Sequence, residues 1–190
     1  TSSKDSKNIT ITMSNFIHSL TFFRLFSGPI IFYFVLLSNQ YGLALIFFIF
    51  SSLSDYLDGF LARRYNLEST FGEVLDPIAD KVLVLFLIVT LTLHFQSLFI
   101  GFVGAVMLSR EFWVSALRDL NARKNKSNAT KVTFQAKLKT AMQFIAFGSF
   151  LFGIYSNNAL LIFISNFFLF ASMLITLNTA ITYTKASFRD

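Results

Sequence analysis

Three stretches of the chain, residues 25–54, 82–109 and 140–184, contain no Lys, Arg, Asp or Glu. Each is longer than the roughly 20 apolar residues a helix needs to cross a hydrocarbon core. Each is also interrupted by a short polar cluster: Ser38-Asn39-Gln40, His94-Phe95-Gln96-Ser97 and Ser156-Asn157-Asn158. Dividing the runs at these clusters predicts six helices, over Asn15–Leu37, Tyr41–Tyr65, Gly72–Leu93, Ser97–Asn121, Thr133–Tyr155 and Ala159–Tyr183. The expected fold class is all-α, a polytopic membrane protein of six transmembrane helices. Residues 1–14 read as a polar N-terminal tail and 15–190 as a single six-helix transmembrane domain.

Charge gives the spans a direction. All 16 Lys and Arg fall in the N-terminal tail, the second-to-third and fourth-to-fifth helix connections, the C-terminal tail, or helix ends beside them. The positive-inside rule then places both termini and those two connections in the cytoplasm. Reading 82–109 as one span would put the basic 118–139 segment outside, so the division at 94–97 is preferred.

Composition agrees, with 54% hydrophobic residues, 26 Phe and only two Pro, far from an ordinary soluble domain. The absence of Cys excludes disulfides and thiolate metal sites, which leaves oxygen ligands for any metal chemistry. Thr1–Asn8 lacks the basic start, short apolar core and small-residue cleavage site of a signal peptide, and reads as a cytoplasmic tail or an added remnant.

Arg24, Asp55, Asp58, Asp76, Asp80, Lys81, Arg110, Glu111 and Arg118 fall in helical turns near the cytoplasmic interface rather than in loops. Ionisable groups there are costly enough to point to function, and one cavity open to the cytoplasm is expected to collect them. At 100° per residue, Asp55 and Asp58 lie about 60° apart and Asp76 and Asp80 about 40° apart, so each pair shares a helix face. A short connection makes their helices antiparallel neighbours, and four carboxylates converge. Burial and mutual repulsion prevent all four from staying ionised without counter-cations. Hard divalent ions, Mg²⁺ or Mn²⁺, suit an all-oxygen donor set, and four carboxylates suit two ions that clamp phosphate oxygens. Gly59, Ala62 and Gly72 leave room for a flat or phosphorylated group beside the backbone, and Arg63 can fork onto a phosphate. A solvated acidic face, or small residues serving helix packing, would account for either feature alone. Eight positions in the order D-x₂-D-G-x₂-A-R-x₈-G-x₃-D-x₃-D, from Asp55 to Asp80, are not explained that way.

That pattern resembles the signature of the CDP-alcohol phosphatidyltransferases, and every motif position matches. The likeness runs over residues 15–183. Thr21-Phe22-Phe23-Arg24 with Pro29, Leu75 to Lys81, Ser109-Arg110-Glu111, Ser115 to Arg118 and Lys137-Leu138-Lys139-Thr140 resemble the members that use sn-glycerol 3-phosphate as acceptor. Ile17 and His18 depart from the Pro-Asn usual in those members; His18 reads as an interfacial residue and His94 as structural.

The resemblance implies a divalent-metal-dependent catalytic domain that moves a phosphatidyl group from CDP-diacylglycerol to sn-glycerol 3-phosphate and releases CMP. Asp55, Asp58, Asp76 and Asp80 would hold the two ions, with Asp80 also the base that deprotonates the acceptor's 1-hydroxyl. Asp58, Gly59, Ala62, Arg63 and Gly72 would bind the CDP group. Arg110, Arg118, Lys137 and Lys139 would bind the acceptor phosphate, with Thr21 and Arg24 in support. Arg123, Lys124, Lys126 and Lys131 read as ordinary positive-inside charge. A homodimer in a bacterial cytoplasmic (inner) membrane is implied, with the active site facing the cytoplasm; the lipid bilayer is the partner and no nucleic acid is expected. Relatives with a cardiolipin-forming, inositol phosphate or serine acceptor share the motif. A divalent-cation transporter is disfavoured, because no inverted repeat or broken helix is visible and the acids lie at one end of the spans.

Overall fold

The structure is a computed structural model that describes the backbone of residues 2–65, 70–124 and 134–188. Within these ranges it describes all side chains except those of 2–12, 14, 15, 56, 62, 63, 65, 70, 71, 73 and 136. The described elements are six helices: α1 (Ser2–Leu36), α2 (Tyr41–Tyr65), α3 (Thr70–Phe95), α4 (Leu98–Arg123), α5 (Phe134–Ser156) and α6 (Ala159–Ser187). The expected boundaries of α2 to α5 hold to within two residues. α1 starts earlier than expected, with 2–14 continuing it as helix, and α6 runs four residues further. The chain divides into two compact units, Thr1–Thr90 and Leu91–Asp190.

In the first unit α1 packs along α2, with Phe47 of α2 between Phe23 and Phe34 of α1 at ring-centroid distances of 5.9 and 5.6 Å. α1 meets α3 at Gly28, where a Cβ would stand 3.0 Å from the Cβ of Phe86. The missing side chain is what permits this approach. In the second unit α6 packs against both α4 and α5. Asn121 Nδ2 donates to Ser187 Oγ at 2.8 Å and ties the end of α4 to the end of α6.

The three polar clusters are turns, each with one residue at positive φ: Asn39 (54°), Gln96 (48°) and Asn157 (51°). α3 and α5 close in the same way. The N–H of Ser97 bonds to the carbonyl of Thr92 and that of Gln96 to Leu93; the N–H of Asn158 bonds to Gly153 and that of Asn157 to Ile154. This is the paired Schellman closure, with the left-handed residue where it requires one. Ser97 and Asn158 then cap the following helices, Ser97 accepting from the N–H of Ile100 and Asn158 from those of Leu160 and Leu161. Two residues thus end α3 and start α4, and two more do the same for α5 and α6.

Large apolar side chains lie on the exterior as well as in the core, and many hydroxyl and some charged ones lie inside. Thr21, Arg24, Ser27, Ser51, Ser54 and Asp58 are buried in the first unit, and Ser165, Ser172, Thr176 and Thr179 in the second. Phe26, Ile49, Phe50, Phe102, Phe163 and Phe167 are exposed. Lipid tails solvate such an exterior, and inside it small and hydroxyl residues share the helix contacts with buried apolar ones such as Ile31, Leu83, Leu87, Phe147 and Phe150. Ser27, Thr90 and Ser165 return their hydroxyls to the carbonyl four residues back, which satisfies them inside their own helix. Among the described residues five segments are long and apolar enough to span a bilayer: Phe16–Leu36, Tyr41–Leu61, Leu98–Arg123, Lys137–Ser156 and Ala159–Ser187. The protein is therefore a multi-pass, all-helical membrane protein.

Candidate active site

In the first unit the acidic pairs of α2 and α3 meet on a cation from α1. Arg24 is fully buried. Its Nη1 lies 2.9 Å from Asp55 Oδ1 and 2.8 Å from Asp80 Oδ1, and its Nη2 pairs with Asp58 Oδ2. One turn earlier on α1, Thr21 Oγ1 donates to Asp76 Oδ1 at 2.8 Å. The two α1 residues therefore gather all four carboxylates of the sequence motif. Local sequence explains this: Thr21 and Arg24 stand three apart and share a face, as do Asp55 and Asp58, and Asp76 and Asp80 stand four apart.

The four acids are not equivalent. Asp58 is 3% exposed, whereas Asp55 and Asp80 are 49% and 41% exposed, so the cluster has a closed end at Asp58 and an open end at the other two. Among the contacts described, one guanidinium stands against four carboxylates, and further cations would let all four stay ionised. Among the described residues no three acidic or histidine side chains stand ready as a metal-ligand set, and the cation that Asp55, Asp58 and Asp80 share is Arg24. The donors nevertheless fit a hard divalent ion: all are carboxylate oxygens and three already converge on one positive charge. Gly59 and Gly72 are half-buried beside this cluster in sequence. The side chains of Ala62 and Arg63 lie outside the described residues.

Next to the acids, an apolar groove of about 480 Å³ runs between α1 and α2, lined in part by Phe23, Phe47, Phe50, Ser54 and Leu57. Ser54 and Leu57 immediately precede Asp55 and Asp58, so an apolar slot borders a carboxylate cluster.

The second unit carries the expected acceptor-binding cations, and it separates them. Arg110 and Lys139 are buried, whereas Arg118 and Lys137 are exposed. Glu111, 27% exposed, accepts an ion pair from Lys139 Nζ and lies 3.5 Å from Arg110 Nη1 through the same Oε1. Arg110 is also bound to α6, its Nε donating to the Thr176 carbonyl at 3.1 Å and its Nη2 to Thr179 Oγ1 at 2.6 Å. Two buried cations share one carboxylate, which leaves an excess of positive charge where an anion is stabilised.

The sequence marks Glu111 as one of the costly ionisable groups near the interface but gives it no partner. Thr176 and Thr179 carry no such mark, since hydroxyls are common in membrane helices and only the fold brings them to Arg110. Arg24, expected only in support, is the central contact of the acidic cluster.

The sequence model of the CDP-alcohol phosphatidyltransferases matches residues 15–183. The chain is 34% identical over 173 residues to the CDP-diacylglycerol–glycerol-3-phosphate 3-phosphatidyltransferase of Wigglesworthia glossinidia brevipalpis, covering 90% of this chain and 93% of that relative. It is 39% identical over 130 residues to the enzyme of the same name from Escherichia coli strain K12, covering 67% of this chain and 71% of the relative.

Proposed function

The chain belongs to the CDP-alcohol phosphatidyltransferases, and we propose that it transfers the phosphatidyl group of CDP-diacylglycerol to sn-glycerol 3-phosphate, giving phosphatidylglycerophosphate and CMP. The observation that carries this reading is the gathering of Asp55, Asp58 and Asp80 on one cation, with Asp76 held beside them by Thr21. The two relatives' names supply the acceptor.

Asp55, Asp58, Asp76 and Asp80 are the residues that would hold Mg²⁺ or Mn²⁺, two ions in all, which when bound neutralise the donor pyrophosphate and the charge that develops as CMP leaves. Gly59, Ala62, Arg63 and Gly72, with Asp58, take the CDP group: the small residues let it approach the helix backbone and Arg63 forks onto phosphate. The groove between α1 and α2 accepts an acyl chain of the donor, so the lipid stays in an apolar environment while its phosphates reach the acids. Asp80, on the open side of the cluster, takes the proton from the acceptor's 1-hydroxyl as that oxygen attacks the lipid-bearing phosphorus. Arg110, Arg118, Lys137 and Lys139 bind the acceptor's phosphate; the two buried ones fix it, and the two exposed ones attract it from water.

This reading takes residues 15–190 as one catalytic domain with α3 as a sixth span. The charge distribution supports both termini and the acidic cluster lying on the cytoplasmic side of a bacterial inner membrane. A homodimer completes the proposal.

The test is acceptor choice. Purified protein is incubated with CDP-diacylglycerol, Mg²⁺ and, separately, glycerol 3-phosphate, phosphatidylglycerol, inositol phosphate or serine, and CMP release is followed. Release with glycerol 3-phosphate alone, abolished by chelation, is expected. Release with another acceptor instead would move the chain to a different branch of the family, and divalent-cation flux without lipid product would overturn the enzymatic reading.

A further inference from the structure

Arg110 reaches across from α4 to α6, and the way it is held there is directional. Thr179 Oγ1 donates its proton to the Thr176 carbonyl at 2.9 Å, so its lone pairs are turned to accept from Arg110 Nη2 at 2.6 Å. The same Thr176 carbonyl accepts from Arg110 Nε at 3.1 Å. Guanidinium Nε and Nη2 are thus pinned by two acceptors on one turn of α6. Because the guanidinium is planar and rigid, fixing two of its nitrogens fixes the third. Nη1 then points to Glu111, the carboxylate that also holds Lys139.

A competing orientation is available. Arg110 lines an apolar groove of about 750 Å³ between α4 and α6, together with Trp113, Leu177, Ile181 and Lys185. Thr179 is 2% exposed and faces Arg110, away from bulk solvent. Without its hydroxyl, Nη2 loses its acceptor, the Nε bond to the Thr176 carbonyl alone ties the guanidinium to α6, and the side chain is free to turn into this groove.

We propose that Thr179 is a positioning residue for the acceptor: its hydroxyl holds the Arg110 guanidinium in the plane that presents Nη1, beside Lys139, to the phosphate of glycerol 3-phosphate. This rests on the assignment of that phosphate to Arg110 and Lys139. Thr179 touches neither substrate and acts through Arg110 alone.

The experiment uses the full chain in detergent or proteoliposomes with Mg²⁺, varying each substrate in turn. Thr179→Val keeps shape and removes the acceptor; Thr179→Ser keeps the hydroxyl. Loss of a hydrogen bond to a charged group predicts that Thr179→Val raises KM for glycerol 3-phosphate about tenfold or more. KM for CDP-diacylglycerol and kcat stay within about twofold, and Thr179→Ser restores the acceptor KM. Arg110→Lys raises the acceptor KM too, and adding Thr179→Val to it has no further effect, since the two act as one unit. A Thr179→Val enzyme that loses kcat and both KM values together, or only thermal stability, would make Thr179 structural and overturn the proposal. Should Thr179→Val not fold, Thr179→Ala is read in the same way. If Arg110→Lys raises the acceptor KM and the Thr179 variants do not, positioning fails while the acceptor assignment stands. If Arg110→Lys leaves the acceptor KM unchanged, both fail.

Discussion

Replacing Arg24 by Met removes the cation that Asp55, Asp58 and Asp80 share while keeping an unbranched, somewhat shorter side chain. The three acids contribute unequally. Asp58 is 3% exposed and would be left buried and unpaired, a change that costs about 3–5 kcal/mol when one partner of a buried pair is deleted. Asp55 and Asp80 are nearly half exposed and water screens them, so each adds about 0–1 kcal/mol. The loss is therefore dominated by Asp58. For a chain of this length about 1 kcal/mol corresponds to roughly 2–4 °C in Tm, so Arg24→Met should melt about 6–20 °C lower. The assay is thermal unfolding in detergent with a chelator present, followed by far-UV circular dichroism, because the chain has no Cys for a thiol-reactive dye. Two rescues follow from the same argument. Adding Asp58→Asn removes the stranded charge and should recover most of the loss, and millimolar Mg²⁺ should recover part of it by supplying a substitute cation. An Arg24→Met protein that melts with the parent, or one that Asp58→Asn fails to help, would refute this account of the cluster.

Asp80→Asn should reduce turnover by about 10²–10⁴-fold, the usual contribution of a general base, while CDP-diacylglycerol binding measured at equilibrium changes little. Near-normal lipid product from that variant would remove Asp80 from the role. Gly28→Leu should lower stability by about 1–3 kcal/mol through overpacking against Phe86, with Gly28→Ala milder; equal melting of both and the parent would contradict the close approach of α1 and α3. Asn158→Ala removes the acceptor for the Leu160 and Leu161 N–H groups and should cost about 1 kcal/mol, visible as a drop of roughly 2–4 °C in Tm.

Helix number and boundaries were legible because lipid imposes a coarse rule: long charge-free runs span, and short polar clusters break them. Asn39, Gln96 and Asn157 stand inside the three clusters chosen on that basis, and each takes the left-handed conformation of a tight turn. The extension of α1 back to Ser2 was not legible, since a polar segment carries no apolar period to mark it. The acidic cluster was readable from spacing alone, because three- and four-residue intervals fix a helix face. What spacing could not give was the partner. Arg24 lies 31 residues before Asp55 in sequence, and only the packing of α1 beside α2 and α3 brings its guanidinium among the acids. The cationic residues were read as one set of four, whereas burial divides them into Arg110 and Lys139 within and Arg118 and Lys137 outside. Arg110 is held inward by α6, through a carbonyl and a hydroxyl in a stretch without charge.

The closures at 37–40, 95–97 and 156–158 bear on how the chain enters a membrane. Each brings the next helix back within a few residues, and its side chains are amide, hydroxyl or apolar, never a fixed charge. Insertion can then proceed in helical hairpins: the first helix of a pair leads and the second follows, and the part delivered to the far headgroup region is a few uncharged side chains. In the orientation proposed above, the Lys, Arg, Asp and Glu side chains stay on the side where synthesis begins, and the four motif acids need not cross the hydrocarbon to reach their places.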